Sequence, residues 1–226
     1  MATKYPKISL FILFLFFFNS YSCIEKGCNS ANTSSNTSND TVIVKNVDLL
    51  NQINPLTHDG KINIVVEIPA GTTAKWQLDK SSGNIKWEVV NNKYRIVNYL
   101  AYPVNYGFVP GTILSKENGG DGDPLDAMIL GSALERGEIV ACDIIGVLRM
   151  LDNEEYDDKL IAITENSPFF GIQSIAELDE KFPGVSQIIS TWFENYKGMG
   201  VVKVIGYEER KEAINIIEKA ISEFSK

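Results

Sequence analysis

The chain has 226 residues, 44% of them hydrophobic, and a formal net charge of −8. That content suffices for one sizeable globular domain, and no Lys/Arg block is present to track a nucleic-acid backbone, so nucleic acid is excluded as a partner. One histidine, His58, and three cysteines with no CxxC pair exclude a His-rich zinc site and a disulfide framework and leave a Ser-His or Cys-His centre poorly supported.

Residues 1–23 read as an export signal. Lys4 and Lys7 give a positive start, Ile8 to Phe18 is an apolar run broken only by Ser9, and Ser22 is a small residue before Cys23. A membrane-spanning helix needs about 20 residues, so this run is too short to cross a bilayer comfortably. The ending Ser20-Tyr21-Ser22-Cys23 resembles a bacterial lipoprotein cleavage site, with Ser20 where leucine is usual. The expectation is an exported protein of a bacterial cell envelope, anchored to the membrane through lipid on Cys23; plain secretion is the alternative. Residues 24–44 are rich in Ser, Thr and Asn and bury too little to offset ordering entropy, which predicts a flexible tether. The folded domain is expected over 45–226.

Strands come first. Ile62 to Ile68 is strand-like and ends at Pro69; Thr73 to Leu78 is a second candidate, turned by Asp79 to Gly83. Ile85 to Val90 and Tyr94 to Tyr99 flank Asn91-Asn92-Lys93 as a hairpin. Ala127 to Leu130 reads as a buried strand, and Ile139 to Met150 as a long one rich in Val and Ile. Helices follow. Ile175 to Phe182 is short and stopped by Pro183-Gly184. Gln187 to Tyr196 carries Ile188, Ile189, Trp192, Phe193 and Tyr196 at helical spacing. After a strand at Val201 to Tyr207, Glu208 to Phe224 bears a stripe of Ala213, Ile217, Ala220, Ile221 and Phe224. This order suggests an α+β domain whose closed or nearly closed sheet has helices packed outside.

Two acidic turns adjoin the strands. Asp121-Gly122-Asp123-Pro124-Leu125-Asp126 packs three carboxylates into six residues, with Gly119, Gly120 and Gly122 easing a tight path. Taken alone it is compatible with a solvated turn. A calcium loop of the EF-hand type fails, because Leu125 and Asp126 stand where an acid and a glycine are required. The second turn, Asp152-Asn153-Glu154-Glu155-Tyr156-Asp157-Asp158-Lys159, follows the long strand. Two such turns facing one another would suit hard divalent cations and phosphoryl chemistry. Lys75, eight residues after Glu67 at the end of a strand, Arg95, the phenols of Tyr102 and Tyr106, and Tyr196-Lys197 fit a polyanion, since phenols and cations both donate to phosphate.

The motifs EIPA (67–70), KWQLDK (75–80), YPVNYGF (102–108), DGDPLD (121–126), LDNEEYDDK (151–159) and FENYK (193–197) occur in one order. In that order they resemble the soluble family I inorganic pyrophosphatases across about residues 60–210. The resemblance implies a five-stranded OB-like closed β-barrel with flanking α-helices, and hydrolysis of pyrophosphate to two phosphates by a hydroxide bridging metal ions. Several Mg2+ ions per active site are implied, with Mn2+ or Zn2+ as substitutes, and so is a homo-oligomer. It assigns Asp121, Asp126, Asp152 and Asp157 to metal, Asp123 to the general base, and Lys75, Arg95, Tyr106, Tyr196 and Lys197 to substrate phosphates. Glu67, Tyr102 and Lys159 would support them. Gln77 departs from the pattern, which usually has Glu there. Two other readings compete: a surface lipoprotein that binds metal and phosphate without turnover, and a phosphohydrolase acting on nucleotides or longer polyphosphates.

Overall fold

The computed structural model describes residues 36–38, 40–43 and 47–226. The expected export signal, with Cys23, lies outside them, as does the front of the expected tether. Two segments of that stretch are nonetheless strands: β1 (Asn36–Ser38) pairs with β2 (Thr41–Ile43). Strand pairing uses the backbone, so a stretch poor in apolar side chains can still add to a sheet edge.

β3 (Ile62–Ile68) ends at Pro69, as the pattern predicts. β4 (Trp76–Asp79) and β5 (Asn84–Trp87) form a hairpin that β2 extends through Thr41↔Lys86. The predicted strand from Ile85 to Val90 is interrupted at Glu88. Beyond it, β6 (Val89–Val90) and β7 (Lys93–Tyr94) form a hairpin at the predicted place, turning on Asn91 and Asn92 with φ of 52° and 58°, but the predicted strand from Tyr94 to Tyr99 stops at Tyr94. Asparagine tolerates that left-handed backbone better than most residues. Then come β8 (Asn105–Phe108), β9 (Asp126–Leu130), β10 (Ile139–Asp152), β11 (Glu155–Tyr156) and β12 (Lys159–Ile163). The chain ends in α1 (Ile175–Lys181), α2 (Val185–Asn195), β13 (Val202–Glu209) and α3 (Arg210–Phe224).

Five strands close on themselves in the order β10, β12, β9, β8, β3 and back to β10. The length of β10 makes this possible: Ile139 to Cys142 pair with β3, while Asp143 to Leu148 pair with β12. β9 and β12 run parallel and the other ring pairs antiparallel, so the sheet is mixed. Gly107 lets β8 approach β3, because a Cβ there would lie 1.9 Å from the Val65 carbonyl oxygen.

Side chains alternate between two apolar cores, as a period of two requires. Ala127 and Ile129 of β9 join Leu160 and Ala162 of β12 beneath Ala213, Ile217 and Ala220 of α3. Met128 and Leu130 join Ile161 and Ile163 on the opposite face, with Ile189, Trp192 and Phe193 of α2. Ile188 does not belong to that stripe: it is 61% exposed, because a residue adjacent to Ile189 is rotated about 100° around the helix.

Candidate active site

The ring brings charge together by register. Asp126 opens β9 and Lys159 opens β12, and the parallel pairing sets them opposite one another. Lys159 Nζ donates to Asp126 Oδ2 at 2.6 Å and also to Asp157, two residues before it. Burial alone would push this amine down; the two carboxylates outweigh it and hold Lys159 charged, above its usual range.

The first acidic turn is held by its own backbone. Gly122 N donates to Leu114 O at 2.9 Å, and Leu125 N to the buried Thr112 hydroxyl at 3.0 Å. Asp121 Oδ1 accepts from Asp123 N at 2.9 Å. Burial raises the Asp121 carboxyl against that bond, and the charges of Asp123 and Asp126 add to the rise. Asp123 is exposed, and Lys80 reaches across from the turn after β4 to pair with it.

The second turn runs from β10 to β11. Asn153 and Glu154, with φ of 49° and 70°, reverse the chain so that Asp152 faces Glu155. Lys197, just beyond α2, pairs with Asp152. Asp158 serves the scaffold instead: it accepts from Met150 N at 3.2 Å and meets Arg149 Nε at 2.8 Å.

Cations and phenols arrive from the hairpins and α2. Lys75 N donates to Arg95 O at 3.0 Å and Glu88 N to Lys75 O at 2.9 Å, which fixes Lys75 and Arg95 beside one another. Arg95 Nη1 contacts both oxygens of Glu88, at 3.0 and 2.8 Å. Lys75 Nζ sits 4.9 Å above the Tyr106 ring. Burial raises the phenol of Tyr106 well above its usual range and that of Tyr196 to about 12, so both stay protonated donors. Tyr102 is buried behind them, its ring 4.5 Å from Trp192 and 5.7 Å from Tyr106. Glu67 sits where the β3 register shifts between Val66 and Ile68. Such bulges re-aim side chains, and its Oε1 accepts from Leu78 N at 2.5 Å. Burial pushes the Glu67 carboxyl up to about 8, against the opposing pull of Lys75.

Both acidic turns meet in one cleft of about 280 Å³. Asp121 and Asp126 line it from the first turn, Asp152 and Asp157 from the second; Lys75, Arg95, Tyr106, Tyr196 and Lys197 complete it. An adjoining cleft of about 340 Å³ shares Lys75, Tyr106 and Asp126 and adds Glu67, Gln77, Lys80 and Asp123. Sequence reasoning missed Lys80 and Glu88. Each is a single charge at a hairpin, and nothing in the spacing marks its partner.

Among the described residues no three acidic side chains converge on one point; Lys159 stands between Asp126 and Asp157, and Lys197 holds Asp152. The donor set still fits a hard divalent cation, because four carboxylates line a single cleft and offer only oxygen.

The family model described as inorganic pyrophosphatase matches residues 64–225. The inorganic pyrophosphatase of Helicobacter pylori (strain ATCC 700392 / 26695) is 35% identical over 75% of this chain and 95% of its own length. That of Campylobacter jejuni is 34% identical over 73% of this chain and 92% of its own. The crystal structure of the Thermus thermophilus inorganic pyrophosphatase superposes with a TM-score of 0.68 at 29% identity, covering 80% of this chain and all 100% of that one. With its motifs gathered around two adjoining clefts and the family model matched across the ring and α3, this chain belongs to the family I inorganic pyrophosphatases.

Proposed function

We propose that this protein hydrolyses inorganic pyrophosphate to two phosphates with divalent cations, Mg2+ first among them, in an OB-like barrel formed by the five-stranded ring. The observation that carries this reading is the shared cleft, where both acidic turns face five side chains suited to phosphate. Asp121, Asp126, Asp152 and Asp157 would hold the cations. Bound there, divalent ions supply neutralisation of the tetra-anionic substrate and acidification of water.

The chain's own groups do the rest. Asp123 takes a proton from the attacking water as its oxygen bonds to one phosphorus and the bridging P–O bond breaks. Lys75, Arg95 and Lys197 stabilise the charge that grows on the leaving phosphate, and Tyr106 and Tyr196 donate to its oxygens. Lys197 must exchange Asp152 for phosphate to do this. Lys159 holds Asp126 and Asp157, Tyr102 packs behind Tyr106, and Glu67 lines the adjoining cleft. Phosphate release from Mg-pyrophosphate, ATP and tripolyphosphate side by side tests the reading. Pyrophosphate should be turned over fastest by at least about tenfold. Faster release from ATP or tripolyphosphate would identify another phosphohydrolase, and release from none would identify a binding protein.

The front of the chain also supports a reading of location. The positive start, apolar run and Cys23 support an exported lipoprotein of a bacterial envelope, and a homo-oligomer is what the sequence resemblance alone implies. Mass spectrometry of the mature N-terminus should find a diacylglyceryl group on Cys23; an unmodified terminus would mean secretion.

A further inference from the structure

We propose that Lys80 is a positioning residue for Asp123, a role that rests on Asp123 taking the proton in the reaction above. Among the described residues, Lys80 is the only side chain that bonds the Asp123 carboxylate. Its Nζ also lies 3.5 Å from Gly122 O, so one ammonium holds both the carboxylate and the backbone that carries it. The contact joins positions 43 apart in sequence, in the cleft beside Lys75, Tyr106 and Asp126.

The turn that presents Lys80 is rigid. Asp79 accepts from Ser81 Oγ at 2.6 Å and Ser82 Oγ at 2.7 Å and pairs with Lys86. Gly83 closes the turn at φ +65°, where a Cβ would lie 2.3 Å from Asp48 Oδ1, and its carbonyl accepts from Leu49 N at 2.9 Å. Lys80 is thereby delivered from a fixed base. The pair itself is open to water, with Lys80 54% and Asp123 55% exposed, so it adds little to folding. A stiff mount for a contact of little structural value points to a task at the carboxylate. Three like charges at Asp121, Asp123 and Asp126 repel one another, and Lys80 offsets that repulsion and fixes the Asp123 carboxylate beside the cation-binding pair.

The test is a double-variant cycle on pyrophosphate hydrolysis with Lys80→Gln, Lys80→Arg and Asp123→Ala in the full chain. Lys80→Gln should lower kcat by about tenfold or more, because a misplaced base costs rate. KM should stay within about twofold, since substrate binding is untouched. Lys80→Arg should restore most of the rate. In the Asp123→Ala background Lys80→Gln should cost nothing further, because its route to the chemistry has gone. An equal loss in both backgrounds, a rise in KM alone, or no loss at all would overturn the positioning role while leaving Asp123 in place. Wild-type turnover in Asp123→Ala would remove the base assignment, and the role of Lys80 with it.

Discussion

Two lysines hold carboxylates in this active site, in opposite surroundings. Lys159 is 3% exposed and bridges Asp126 and Asp157 at the start of two parallel ring strands. Lys80 is 54% exposed and reaches Asp123 from a hairpin turn. Burial makes the first contact part of the scaffold, because the Lys159 ammonium cannot turn to water if its carboxylates are lost. Exposure leaves the second free to exchange partners, so its value lies in where it directs a carboxylate.

Breaking the buried contact should have the largest effect on folding. Lys159→Met leaves Asp126 and Asp157 without their cation, and in Mg2+-free buffer it should destabilise the domain by about 3 kcal/mol or more. Thermal unfolding would show this as a fall of about 6–12 °C. A shift under about 2 °C would mean that the bridge is not structural.

Glu67 gives an intermediate effect that depends on pH. Its folded carboxyl titrates at about 8 against an ordinary 4.5, so between those values the native chain holds a proton that the unfolded chain has released. Stability of the metal-free protein should be greatest below the unfolded value and fall as pH rises toward about 8. Glu67→Gln should flatten that slope in denaturant titrations across the window; an unchanged slope would assign the titration to other groups. The smallest effect is expected at the exposed lysine, where Lys80→Gln should cost less than about 1 kcal/mol of stability despite its cost in rate.

Much of the ring is legible in the sequence. β3, β9 and β10 are rich in Val, Ile and other apolar residues, as strands largely buried on both faces should be. β8 and β12 are not. The four residues Asn105–Phe108 look like part of a phenol-rich binding motif, and Lys159–Ile163 is a short run behind an acidic turn. Without those two strands the ring has no visible closure, and the register that pairs Asp126 with Lys159 cannot be read. The acidic residues of the site stand out by density, and the family resemblance orders them. Lys80 and Glu88 stay hidden, because a lone charge at a hairpin says nothing about a partner that only the folded ring supplies.

Two acidic turns, separated in sequence, are expected to serve one set of cations. Calorimetric titration with Mg2+ of the wild type, Asp121→Asn, Asp157→Asn and the double variant examines this directly. Each single change should weaken Mg2+ binding by at least about tenfold, and the double should lose less than the sum of the two because both act on one site. Unchanged affinity in either single variant, or two losses that simply add, would show that the turns do not share their metal.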